Sequence, residues 1–328
     1  MKTFCKYFAS KMLRLSIIVA VVSVLSFVLV SFAPLDPITA YLGYDRLQIS
    51  QEQEAQIISR WGLDKSPPER FLSWAGNILR GDFGKSVIFN EPVVDVIGKR
   101  FVASFWLMFF AWLFSGLLGF ILGAVAGTFR NSLADRVIRF YAYTLASTPT
   151  FWVAMILLVF FAVKLGWFPV CCAGPLGVAP EDVSFADRLY HLALPVLTLS
   201  LVGIAQITLH TREKMIDFFQ SNHATYALAC GETRSSTAIF HGLRNILLPA
   251  ITLQFASLGE LFSGSVLAEV VFSYPGLGKA TVDAGIRGDV PLLLGVVIFS
   301  TIFVVVGNLI ADLLYTLVDP RVRTEEAI

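Results

Sequence analysis

Charge is scarce in this chain. Asp, Glu, Lys and Arg make up 15% of its 328 residues, where soluble domains carry about 25%. Hydrophobic residues make up 56%, more apolar surface than a soluble core of this length can hide. A soluble cytoplasmic enzyme, a disordered chain and a nucleic-acid binder are therefore excluded. Cysteine is scarce too: Cys5, Cys171, Cys172 and Cys230 are too few and too scattered for a disulfide framework. Cys171 and Cys172 are adjacent, and neighbours do not easily bridge without strain, so all four are expected to be structural. No CxxC pair occurs, and His191, His210, His223 and His241 are dispersed, which leaves no metal-ligand spacing. Gly84-Lys85-Ser86 lacks the upstream glycine of a phosphate-binding loop, because that position is Leu79. Gly278-Lys279 fails as well, with Ser273 and Ala280 at the other motif positions. No HExxH or GxSxG is present. Neither a cofactor nor a catalytic residue is expected in this chain.

Long apolar runs are abundant. Leu15 to Leu35, Phe101 to Phe129, Phe140 to Val163 and Leu189 to Thr211 carry no acid, and no Lys or Arg. A fifth run, Leu247 to Phe272, is interrupted by Glu260 and Glu269, and a sixth, Val290 to Leu317, by Asp312. A bilayer core of roughly 30 Å needs about 20 apolar residues per helix, so the fold expected is an all-α polytopic membrane protein of six transmembrane helices. The first run resembles a signal peptide near Ser31-Phe32-Ala33, but it is long, and Pro34 would block cleavage. It is read as a retained span.

Basic residues set the orientation. Lys2, Lys6, Lys11, Arg14, Arg130, Arg136, Arg139, Arg212, Lys214, Arg234, Arg244, Arg321 and Arg323 flank one side. Only Lys164, Arg188, Lys279 and Arg287 flank the short loops opposite. The positive-inside rule places both termini in the cytoplasm. The expected divisions are 1–35, an N-terminal tail and first span; 36–100, an outer helical insertion; 101–317, a five-helix core with a cytoplasmic loop at 212–249; and 318–328, a cytoplasmic tail. Within the insertion, Ser66-Pro67-Pro68 and Gly81-Asp82-Phe83-Gly84 read as breaks. Amphipathic stretches near Gln51–Trp61 and Pro92–Arg100 read as membrane-surface segments.

Acids inside spans are costly and point to function. Glu260 lies roughly 18 Å along the fifth span from the cytoplasmic side at 1.5 Å per residue, near the midplane. Glu269, nine residues on, falls on the opposite face near the outer mouth. It reads as a brace for the Tyr274-Pro275-Gly276 turn more readily than as a pathway residue. Gly259, Ser263, Gly264 and Ser265 would let another helix approach closely. The polar-amphipathic loop from Arg212 to Pro249 carries Tyr226, Ala227, Leu228 and Ala229, then Gly231, then Ile239, Phe240 and Leu243. That apolar stripe suits docking of a soluble partner.

The segment Gly231…His241-Gly242-Leu243-Arg244-Asn245-Ile246-Leu247-Leu248-Pro249 resembles the coupling loop of ABC-importer permeases of the dipeptide, oligopeptide and nickel branch. Gly81-Asp82-Phe83-Gly84 with Ser86, Thr148-Pro149-Thr150-Phe151-Trp152 and Phe272-Ser273-Tyr274-Pro275-Gly276-Leu277-Gly278 are similar to motifs of the same family. So is the ending Asn308…Asp312-Leu313-Leu314-Tyr315…Asp319-Pro320-Arg321-Val322-Arg323. The chain departs from the family in having Thr225, Leu228 and Cys230 where basic residues are usual. Glu260 within Gly259-Glu260-Leu261 resembles the nickel-type members more than the peptide-type.

The resemblance implies a bacterial inner-membrane permease subunit of a binding-protein-dependent, ATP-driven importer for nickel or other metal chelates, or for short peptides. It implies a heterodimer with a second homologous permease, two ATP-binding subunits that hold ATP and Mg, and an extracytoplasmic substrate-binding protein. Coupling is expected through Tyr226, Ala227, Gly231, His241, Leu243, Arg244 and Pro249. The translocation path is expected at Glu260, Gly264, Glu269 and Asn308, with Tyr274, Pro275 and Gly276 as the outer turn. A polytopic membrane enzyme, or a channel without ATPase partners, is the alternative.

Overall fold

The computed structural model describes the backbone at residues 2–32, 66–179 and 181–318, and side chains at 10–32, 66, 68–179 and 181–311. Among the described residues every regular element is helical, apart from an isolated bridge between Lys85 and Pro92. The helices are α1 (Lys2–Phe32), α2 (Pro67–Leu79), α3 (Val93–Thr128), α4 (Leu133–Ala146), α5 (Thr150–Leu157), α6 (Phe185–Phe219), α7 (Asn222–Ala229), α8 (Arg234–Thr237), α9 (Leu243–Ala256), α10 (Leu258–Val271), α11 (Leu277–Arg287) and α12 (Val290–Val318). Short π-helical turns continue α5 over Leu158–Lys164 and lead into α9 over Ala238–Gly242.

Four stretches are long and apolar enough to cross a membrane alone: Ser10–Phe32, Val93–Thr128, Phe185–Phe219 and Val290–Ala311. Two bent pairs bring the number of possible spans to six. The third and fifth spans, expected as single runs, are thus broken. Leu133–Ala146 meets Thr150–Lys164 at 106°. Pro149 disfavours helical geometry at Thr148 and itself takes extended backbone as the N-cap of α5. Arg234–Ala256 meets Leu258–Val271 at 51°, with Ser257 at the joint.

The chain forms two compact units. One takes Met1–Ala103 and Lys279–Val305. In it Phe27 of α1 meets Phe71 and Trp74 of α2 at 5.3 and 5.8 Å between ring centroids. Ser66-Pro67-Pro68 starts α2 rather than breaking a helix: the Ser66 N–H donates to Glu69 Oε2 at 3.2 Å, and proline is tolerated in a first turn. The 92–100 stretch, expected on the membrane surface, is instead the continuous start of α3 from Val93. Gly81 and Gly84 take φ of +84° and +80°, which makes the preceding turn a glycine requirement. Asp289, fully buried, holds the following loop. Its Oδ2 accepts from Ser86 Oγ at 2.6 Å and from the Ile88 N–H at 3.1 Å, and its Oδ1 caps α12 at the Leu292 N–H.

The other unit takes Ser104–Gly278 and Val306–Ile328. Its central contact is α3 against α6. A methyl built on Gly119 would lie 2.7 Å from Ile207 Cβ, one on Gly123 2.6 Å from the Thr208 carbonyl oxygen, and one on Gly127 2.7 Å from the Arg212 carbonyl oxygen. The four-residue spacing puts all three on one helix face, so the backbones touch. Gln254 ties α9 to α3: its Nε2 donates to the Trp112 carbonyl at 2.6 Å, and Trp112 Nε1 donates to its carbonyl at 2.9 Å. Near the inner end of α6, Arg212 donates through Nε and Nη2 to the two oxygens of buried Asp135 on α4, at 2.6 and 3.0 Å.

Cys171 and Cys172 form a disulfide, against the expectation that neighbours stay apart. The left-handed φ of +77° at Cys172 folds the pair back on itself. Two backbone anchors hold the loop: the Cys172 N–H donates to the Phe272 carbonyl at 3.0 Å, and His191 Nδ1 lies 2.9 Å from the Cys171 carbonyl.

Gly123→Val is expected to lower the stability of the purified protein by about 1–3 kcal/mol, because its new methyls meet backbone that cannot swing aside. Thermal unfolding in detergent measures this; an unchanged midpoint would contradict the close contact.

Candidate functional site

Two places gather the residues singled out in the sequence. The first is the segment between α6 and α9. Ser221 caps α7 by accepting from the Ala224 N–H at 3.3 Å. Gly231 takes φ of +93° with open space around its missing Cβ. Backbone conformation, not room, thus demands glycine there, and another residue would cost about 1–2 kcal/mol. Thr233 caps α8 through the Ser236 N–H.

Side chains divide into an inner and an outer set. Ala224, Ala238 and Ile246 are buried with Ala124, Met215 and Phe218, and Leu243 packs against this cluster. Ala227 is buried too. Tyr226 and Phe240 are each 73% exposed, and Ile239 and Leu228 share their exposure. Leu243, read from the sequence as part of the apolar docking stripe, therefore faces inward; the exposed stripe is Tyr226, Leu228, Ile239 and Phe240. His241 lies within reach of Glu232, Nε2 to Oε1 at 3.2 Å, and its ring meets that of His223 at 5.1 Å. Arg244 is exposed, and Pro249 lies inside α9, where it removes one helical donor.

Arg234 anchors this segment. Its Nε donates to the Thr128 carbonyl at the end of α3 at 2.5 Å, and its guanidinium sits 4.4 Å above the Phe219 ring at the end of α6. Gly242 comes so close to Met215 of α6 that a methyl there would lie 2.9 Å from the sulfur. The segment carrying the exposed residues is thus fastened to the C-terminal ends of both long helices.

The second place is the turn after α10. Glu269 is fully buried. Its Oε1 accepts from Ser104 Oγ of α3 at 2.5 Å, and Ser104 Oγ accepts in turn from the Leu277 N–H at 2.8 Å. Gly276 and Gly278 leave the room that this carboxyl occupies. The Tyr274 N–H donates to the Glu269 carbonyl at 2.8 Å. Burial, with the Glu269 carboxylate adding to it and Arg188 opposing, pushes the Tyr274 phenol up to about 12, so it stays neutral throughout the physiological range. Pro275 is half-buried. One carboxyl therefore joins α3, α10 and the start of α11.

The remaining candidates are not gathered with these. Glu260 is exposed in the first turn of α10, immediately after the 51° break. A helix N-terminus there favours a negative charge. Among the described residues no ion pair reaches it. A methyl built on Gly264 would lie 3.5 Å from Leu199, an ordinary van der Waals distance, so Gly264 is not a point of tight helix contact. Asn308 is exposed on α12, and the side chain of Asp312 lies outside the described residues, as do Gln51–Trp61 and 319–328. Sequence reasoning missed Asp289, Arg234 as an anchor, and the Gly119-Gly123-Gly127 repeat, whose four-residue spacing was open to view.

Ser104→Ala is expected to cost about 1–3 kcal/mol, since a buried carboxyl and a backbone donor both lose their partner. Thermal unfolding of the purified variant reads it, and a wild-type midpoint would refute the brace.

Comparison with known proteins gives the family. Residues 119–324 match the family model described as binding-protein-dependent transport system inner membrane component. The oligopeptide transport system permease protein AppB of Bacillus subtilis is 34% identical over 303 residues, 92% of this chain and 94% of its own. The di/tripeptide transport system permease protein DppB of Pseudomonas aeruginosa is 32% identical over 92% of this chain and 94% of its own. The glutathione transport system permease protein GsiC of Pectobacterium atrosepticum is 34% identical over 97% of this chain and 98% of its own. The chain belongs to the family of binding-protein-dependent transport system inner membrane components, as a multi-pass, non-catalytic permease subunit of an ABC importer.

Proposed function

We propose that this subunit imports short peptides. It would pair with a second homologous permease, with two ATP-binding subunits that carry ATP and Mg beneath the pair and a binding protein delivering substrate outside. The observation that carries the mechanism is the exposed Tyr226, Leu228, Ile239 and Phe240 stripe, fastened by Arg234 to both α3 and α6. An exposed apolar patch of this kind marks a docking site. Closure of the ATPases on nucleotide would push the stripe, and the push would reach the spans because the segment is fixed to their inner ends. In this reading 212–249 is the coupling loop, 36–100 lies outside, both termini lie inside, and the rest of 101–317 is the transport core.

Peptide is preferred to nickel because the relatives are named for oligopeptides, di/tripeptides and glutathione. Glu260 fits either cargo. An exposed carboxylate just past a break in the fifth span can meet a peptide ammonium in passing, and weak binding would let the cargo leave. The buried brace that Glu269 makes takes it out of the pathway proposed here, leaving Glu260 with Gly264 and Asn308.

Two outcomes are expected in proteoliposomes holding the whole importer. Phe240→Asp should cut peptide uptake by about tenfold or more while the chain still inserts, since a desolvated charge replaces an apolar anchor. Wild-type uptake with the ATPases still bound would refute the docking stripe. Glu260→Gln should slow a free-amine peptide by about tenfold, the value of one charge-assisted contact, and leave its N-acetylated form unchanged. Equal uptake of both peptides by both proteins would remove Glu260 from the path.

A further inference from the structure

Helix α4 turns an apolar stripe away from the protein. Leu133, Val137 and Phe140 are 78%, 59% and 74% exposed, and their spacing puts them in one narrow sector of the helix. The opposite sector is anchored. Asp135 and Ala142 are buried, and the Asp135 carboxylate is taken up by Arg212 and, at 3.3 Å, by Arg139. Beside the stripe stand Arg130 and Arg136, both exposed; among the described residues neither has an acidic partner. The single acid of α4 is thus consumed on the buried side, and the exposed side presents apolar and positive groups, with the neutral Tyr143 and Thr144 toward its C-terminal end. The 106° bend turns the axis of α4 well away from that of α5 and its π-helical continuation, so that α4 lies along the bilayer surface if α5 crosses it.

We infer that α4 is an interfacial helix that binds anionic phospholipid of the cytoplasmic leaflet. Leu133, Val137 and Phe140 enter the acyl boundary, and Arg130 and Arg136 meet the headgroup phosphates. An apolar sector edged by arginines is the composition such helices need, and anionic headgroups supply the charge that these two arginines lack. The second permease is the competing occupant; it would have to bring acids to the same edge. The leaflet follows from the excess of Lys and Arg on this side of the spans.

The test uses the assembled importer in nanodiscs of equal parts phosphatidylglycerol and phosphatidylcholine, with Cys5 and Cys230 replaced by serine. Spin labels at Val137 and Phe140 should collide readily with dissolved oxygen and poorly with a water-soluble nickel chelate. Labels open to the chelate, or shielded from both reagents as under a protein partner, would overturn the proposal. The charge arm compares retention of phosphatidylglycerol over phosphatidylcholine in the wild type and in Arg130→Gln/Arg136→Gln. That preference should fall by about fivefold for each arginine removed. An unchanged preference would equally overturn it, and these exposed positions leave the Asp135–Arg212 anchor untouched.

Discussion

Backbone-to-backbone contact between α3 and α6 underlies the account. Lipid tails are as apolar as leucine, so two spans gain little by hiding apolar side chains from lipid and must associate through close packing. Gly119, Gly123 and Gly127 allow that packing over two full turns. The contact ends beside the segment between α6 and α9: Gly127 adjoins Thr128, whose carbonyl receives Arg234, and Met215 lies against both Gly127 and Gly242. Under the proposed coupling, a push there meets a closely packed pair rather than a lone helix that could bend away.

Polar side chains in this chain fall into two groups. Glu269 with Ser104, Asp289 with Ser86, Asp135 with Arg212 and Gln254 with Trp112 are all buried joints between elements. Each pairs groups whose loneliness in an apolar setting would cost several kcal/mol, although Gln254 keeps one buried oxygen, Oε1, without a partner. Glu260 stands apart as exposed and in a helical first turn. Burial and partnership thus separate the buried Glu269 from Glu260, in the same sense as their depths along the fifth run.

Much of this was legible beforehand. Charge-free runs located the candidate spans, because hydropathy reports directly on solvent, while the orientation read from basic residues and the docking role read in 212–249 belong to the proposed function. The breaks at Thr148-Pro149 and Ser257 were not read, since an apolar run carries no sign of where its axis turns. Leu243 was assigned to the stripe because residues near a π-helical turn do not keep the 3.6-residue period that would point them outward. Asp289 escaped notice because its partner, Ser86, lies 203 positions away. The Cys171–Cys172 bond rested on one left-handed residue and two backbone anchors supplied by distant segments.

The most direct measurement is the number of peptides moved per ATP by importers carrying Arg234→Gln. Arg234 is not one of the apolar residues proposed to dock the ATPases and is engaged with Thr128 and Phe219, so the ATPases should stay bound and hydrolyse near the wild-type rate. Losing the bond to Thr128 and the contact with Phe219 should uncouple hydrolysis from the spans, lowering peptide per ATP by about tenfold, the value of roughly 1.4 kcal/mol. An unchanged ratio would show that force reaches α3 and α6 by another route.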